Sequence, residues 1–224
     1  MAIIRLGTCG AISGDASCGS VVVVSGSVMV RRCADSAGMP AGVAEGTVPA
    51  FSLREGSAAA SLVATPALPF SVSNIVRPDS RLTAALSAEL RAAIRGGSML
   101  ALDATADTFY ASQGRSSGML DRNAALVPAL AAAGINVLQM ETFHLLELGR
   151  SAGLMNSSPS IATAAAHIIV FDRRESMSVT QKDLTARETA AGRAALAALA
   201  AYPIEGDQIV EKLSSSGAGT MPTV

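Results

Sequence analysis

Three short stretches of this 224-residue chain carry side chains suited to holding a polar ligand. Arg5-Leu6-Gly7-Thr8-Cys9-Gly10 sets an arginine at the end of an apolar strand, ahead of a Gly-Thr-x-Gly turn. Such a turn aims backbone N–H groups and a hydroxyl at an anion, and the guanidinium adds a two-pronged donor. The second stretch runs from Asp107-Thr108-Phe109-Tyr110 to Gln113-Gly114-Arg115, just past a strand, where α/β proteins place ligand groups. Phe109 offers an apolar wall. Gln113 carries a donor beside an acceptor and so matches the N–H and C=O edge of a planar, amide-like ring, while Arg115 reaches a second carbonyl. The third is Gln139-Met140-Glu141-Thr142 at a strand-to-helix junction. There Glu141 is able to accept two hydrogen bonds from a vicinal diol, with Met140 packed on the sugar. Each stretch also has a plain structural reading: a tight turn, a solvated loop, and a carboxylate favoured by a helix dipole.

The elements that position these residues follow from local patterning. Residues 2–12 read as a strand running into the small-residue turn, and Val21–Val24 as a strand buried on both faces, with Val28–Val30 continuing or pairing with it. Pro78 opens a helix that carries Leu82, Leu86, Leu90 and Ile94 on one face and stops at Gly96-Gly97. Ser98–Thr105 is a strand, Asn123–Ala133 a helix stopped by Gly134, Ile135–Leu138 a strand, and Glu141–Ser151 a helix. Ala166–Phe171 is a further strand. Asp183–Ala201 is an Ala/Leu helix that packs on the sheet. Strands alternating with helices make this an α/β layer architecture. One domain spans residues 1–203, with 34–69 as a long loop or insertion and 204–224 as a C-terminal tail.

Composition narrows the function. Half of the residues are hydrophobic but only 3% are aromatic, and there is no Trp, so the core depends on close packing of small side chains. Seventeen basic against eighteen acidic residues give a net charge of −1, which argues against a nucleic-acid partner. Mean hydropathy is +0.40, yet no apolar run reaches membrane-spanning length, and the N-terminus lacks a signal-peptide pattern. The three cysteines, Cys9, Cys18 and Cys33, form neither a disulfide framework nor a zinc motif, and point to a reducing, cytoplasmic setting. Of the two histidines, His144 reads as a packed or surface imidazole with no catalytic part, and His167 as a core one.

Taken in order, Arg-Leu-Gly-Thr-Cys-Gly, Asp-Thr-Phe-Tyr-x-x-Gln-x-Arg and Gln-Met-Glu-Thr resemble the uridine phosphorylases of the nucleoside phosphorylase family. Order and rough spacing agree over residues 3–200. The resemblance implies a three-layer αβα fold with a central mixed sheet. It implies phosphorolysis of uridine to uracil and ribose 1-phosphate in pyrimidine nucleoside salvage, by a homodimer or higher homo-oligomer. Inorganic phosphate would be the co-substrate, with no metal and no organic cofactor. Arg5 and Thr8 would bind phosphate, Phe109, Gln113, Arg115 and Arg173 the base, and Met140 and Glu141 the ribose hydroxyls. Catalysis would then rest on charge placement, with no protein nucleophile.

The chain departs from that family in two respects. The arginine motif lies well inside the chain in the family and begins at residue 5 here, so the first strands of the fold and part of the phosphate site are expected to be absent. Gln139 stands where the family usually has Glu. Two alternatives follow: a nucleosidase that uses water, and an inactive fragment or paralogue that binds nucleoside or only associates with other subunits.

Overall fold

A computed structural model describes residues 1–32, 70–94, 98–115, 123–154 and 161–203. The expected 34–69 loop, the Gly96-Gly97 helix stop, Cys33 and the 204–224 tail lie outside these residues. Among the described residues, seven strands form one mixed sheet: β1 (Ala2–Ala11), β2 (Val21–Arg32), β3 (Phe70–Val72), β4 (Ser98–Ala106), β5 (Val137–Gln139), β6 (Ala162–Asp172) and β7 (Met177–Ser178). Their order is β3-β2-β4-β5-β1-β6-β7. Among the same residues four α-helices flank it: α1 (Ser80–Ala93), α2 (Leu126–Ala132), α3 (Thr142–Leu154) and α4 (Gln181–Ala201).

The sheet also closes on itself. Val21, Val22 and Val23 of β2 pair antiparallel with Ile168, His167 and Ala166 of β6. The strands β2, β4, β5, β1 and β6 therefore make a ring. This explains the unbroken valine run, since each face of β2 meets protein. Val21 and Val23 pack with Leu82, Leu86 and Leu90 of α1 and with Ala194 and Ala198 of α4. Val22 points the other way, into the ring, to meet Cys9, Ala101, Val137 and Ile169. Val28 and Val30 lie further along the same strand and pack under Leu126 and Leu130 of α2. Leu146 anchors α3 against Val24 and Ala165.

Several boundaries differ from the sequence expectation for local reasons. Asp79, not Pro78, starts α1: its carboxylate accepts the Leu82 N–H at 2.7 Å, which leaves Pro78 outside the helix. The strand expected from Ala166 begins at Ala162, because β1 pairs with β6 along its whole length from Ala2↔Ala162 onward. Tertiary pairing overrides the weak strand preference of alanine there. The 123–133 helix splits into a 3-10 turn, Asn123–Ala125, and α2. Thr180 caps α4, accepting the Asp183 N–H at 3.2 Å. Among the described residues no helix is long and apolar enough to cross a membrane.

Leu86 is fully buried between α1, α4 and β2. Truncation to Ala is expected to lower unfolding stability by about 3 kcal/mol, read from the urea midpoint, because the neighbouring alanines have no side-chain length with which to fill the void.

Candidate active site

The Gly-Thr-x-Gly segment is not the turn its composition suggests. It lies within β1, paired to β6 as far as Ala11, with a register shift between Cys9 and Gly10. Most of its backbone groups thus belong to the sheet ladder, and the glycines serve another purpose. A Cβ on Gly7 would lie 2.5 Å from Arg5 Nη1, and one on Gly10 would lie 2.9 Å from Arg173 Nε. The missing side chains let two guanidinium groups lie down on the strand. Three residues of extended chain separate them, about 10 Å.

Arg5 is held by three groups from two other elements. Its Nη1 donates to His167 Nδ1 at 3.0 Å and to Thr142 Oγ1 at 3.4 Å. Its Nη2 pairs with the Glu141 carboxylate, which is otherwise well exposed. Because Arg5 only donates, His167 Nδ1 must accept, so the imidazole proton sits on Nε2, 3.1 Å from Thr142 Oγ1. Burial, reinforced by the Arg5 charge, depresses the His167 pKa to about 3 and keeps the ring neutral. His167 is thus buried as expected, but it also supports the site arginine. His144, left open between packed and surface, is exposed on α3.

At the far end of the site, Gln113 sits in a 3-10 turn after β4 and is buried. Arg173 Nη1 donates to the Gln113 carbonyl at 2.5 Å, and Nη2 donates to its Oε1. That contact turns the Gln113 amide nitrogen away from Arg173. Arg115 stacks on the Phe109 ring, 4.5 Å from its centroid. Burial, with the nearby Arg115 charge adding to it, lowers the Arg173 pKa to about 10. Arg173 Nε has no hydrogen-bond partner among the described residues.

A cleft of about 440 Å³ joins the two ends. Arg5, Thr8, Met140 and Glu141 line one part of it. Phe109, Gln113, Arg115 and Arg173 line the rest, so all eight residues singled out in the sequence meet in one cavity. Thr8 also borders a smaller cavity, of about 120 Å³, between β1 and α4. Cys9, at the cleft floor, is a buried free thiol whose pKa is pushed well up by burial.

Sequence reasoning passed over one further group, Asp103. It is a fully buried carboxylate on β4, and burial raises its pKa to about 7 against the pull of hydrogen bonds from Ser27 and Gln139. The available signal was one acid in an otherwise apolar strand, Leu100-Ala101-Leu102-Asp103-Ala104. A further difference concerns Glu141, which precedes α3 instead of lying in its first turn.

The chain belongs to the phosphorylase superfamily, whose family model matches residues 1–202. Its sheet and flanking helices form a nucleoside phosphorylase-like fold. A uridine phosphorylase of the oomycete Phytophthora capsici is similar at 32% identity and a TM-score of 0.70, covering 91% of this chain and 68% of that one. A Trypanosoma brucei nucleoside phosphorylase with uridine phosphorylase activity shares the fold at 20% identity and a TM-score of 0.62, covering 90% of this chain and 64% of that one. The chain thus spans about two thirds of the length of either structure. No curated protein sequence matches it.

Proposed function

We propose that the protein is a pentosyltransferase that cleaves uridine with inorganic phosphate, giving uracil and ribose 1-phosphate. The observation that carries this reading is the pair of arginine poles in one cleft. Arg5, paired with the Glu141 carboxylate, stands at one end. Arg115 and Arg173 crowd together at the other with no carboxylate partner among the described residues. Two cations held close disfavour each other, and an anion forming between them relieves that cost. Uracil becomes such an anion as the glycosidic bond breaks.

In this reading a phosphate oxygen attacks C1′ of the ribose. The C1′–N1 bond breaks, its electron pair leaves with uracil, and a proton from solvent completes the base. Arg5 and Thr8 hold the phosphate, and Glu141 accepts from the ribose hydroxyls over Met140. Gln113 and Arg115 read the uracil edge, Phe109 walls the base, and Arg173 closes its site. No step calls on a protein nucleophile, a metal or an organic cofactor. In the same reading the protein works as a homodimer in the cytoplasm, where the free thiols of Cys9 and Cys18 stay reduced.

The test is uracil release from uridine by the purified chain, with and without phosphate. Release that requires phosphate, with ribose 1-phosphate as co-product, is expected. Equal release without phosphate identifies a nucleosidase. No release from a folded chain that still binds uridine identifies a non-catalytic relative.

A further inference from the structure

Beneath the cleft, Asp103 and Gln139 face each other across β4 and β5. Asp103 Oδ2 accepts from Ser27 Oγ and from Gln139 Nε2, both at 2.8 Å. Asp103 Oδ1 is buried without a partner among the described residues. Gln139 is also buried, and its Nε2 donates to Thr105 Oγ1 at 2.6 Å. Its Oε1 accepts the backbone N–H of Glu141 at 2.5 Å and of Thr142 at 3.1 Å. Thr105 Oγ1 accepts the Phe143 N–H at 2.8 Å. Three consecutive N–H groups at the start of α3 are therefore met by side chains from the neighbouring strands.

A primary amide is nearly symmetric in shape, so its partners decide which end faces which. If the Gln139 amide flipped, an NH₂ group would face the N–H donors of α3, leaving them unsatisfied in a buried place. Asp103 prevents the flip. Its Oδ2 is an acceptor whether the acid is ionised or carries a proton on the unpartnered Oδ1.

We propose that Asp103 is a positioning residue: it fixes the orientation of the Gln139 amide, which anchors the start of α3 and holds Glu141 against Arg5 in the cleft. The groups around it fit this role. Arg5 and Cys9 of β1 face it on one side, Ser27 of β2 on another, and Glu141 lies above. The consequence for turnover rests on the role of Glu141 proposed above, whereas the anchoring of α3 does not.

The test removes the acceptor and then returns it. In D103A nothing at this position accepts from the Gln139 NH₂, and the amide is free to turn. The Glu141 and Thr142 amide protons are then expected to exchange with solvent at least about tenfold faster, the effect of losing a buried hydrogen bond. The KM for uridine rises while kcat changes less. D103N sets its carbonyl oxygen where Oδ2 stood, still accepts from Ser27 and Gln139, and is expected to keep both readouts at the wild-type level. Wild-type exchange in D103A overturns the proposal, as does a folded D103N that exchanges as fast as D103A. If D103A fails to fold, D103L, which fills the space without an acceptor, takes its place under the same two outcomes. Should the chain turn over no nucleoside, the exchange data still decide the anchoring and leave only the uridine reading to fall.

Discussion

Replacing Arg5 with Ala lowers kcat/KM for phosphate by about 100- to 1,000-fold, the loss found when one preorganised donor is removed from a charged reaction centre. The size follows from how firmly Arg5 is held. Its two terminal nitrogens are fixed by His167, Thr142 and Glu141 before any ligand arrives. Little conformational entropy remains to be lost on binding an oxyanion. Arg5→Lys is expected to recover only a small part, because a single ammonium cannot reach His167 and a phosphate oxygen as a planar fork does. Steady-state kinetics with phosphate varied at saturating uridine measure the effect. A loss under about tenfold in Arg5→Ala means that phosphate binds elsewhere.

The second large effect is on stability against pH, where two buried groups act in opposite directions. His167 has a folded pKa of about 3, below its ordinary 6.5. Its contribution is therefore fully present above pH 6.5 and is lost as the pH falls towards 3, since only the unfolded chain takes up the proton. Asp103 has a folded pKa of about 7, above its ordinary 3.8. Here the folded state holds the proton more tightly, so stability is gained as the pH falls from 7 to 3.8. At about 1.4 kcal/mol per pH unit, each group is worth about 2 kcal/mol between pH 7 and pH 5. In the wild type the two nearly cancel. H167Q retains an acceptor for Arg5 and a donor for Thr142 but no titration, and is expected to gain about 2 kcal/mol of unfolding free energy from pH 7 to pH 5. D103N is expected to lose about 2 kcal/mol over the same interval. Urea titrations at the two pH values measure both. Parallel behaviour of all three proteins would show that neither group titrates as its surroundings dictate.

Much of the site was legible because its residues lie in short, contiguous stretches. Phe109, Gln113 and Arg115 share one turn, and Met140 and Glu141 one junction, so spacing alone brings each set together. The helix over 80–93 was legible from its leucine period, although Asp79 caps it where the sequence pointed to Pro78. What failed was the reading of Gly7 and Gly10. Glycine in sequence signals a turn, but here the absent Cβ atoms make room for Arg5 and Arg173 on a straight strand. Asp103 and His167 were not legible as site residues. Their partners are far away in the chain, Gln139 for the first and Arg5 for the second. No local pattern records a contact that the sheet order alone creates.

The closed ring of strands sets a schedule for synthesis. Ala2 pairs with Ala162, and Val21–Val23 pair with Ala166–Ile168, so β1 and β2 both wait for β6, which follows every other strand of the ring. At typical translation rates the stretch from Ala2 to Ala162 takes on the order of 10 to 30 seconds to emerge. Throughout that interval the valine-rich strand is on the ribosome without its β6 partner. The nascent chain is therefore exposed to chaperone capture and to sticking to its neighbours on a polysome, and slower elongation lengthens that exposure.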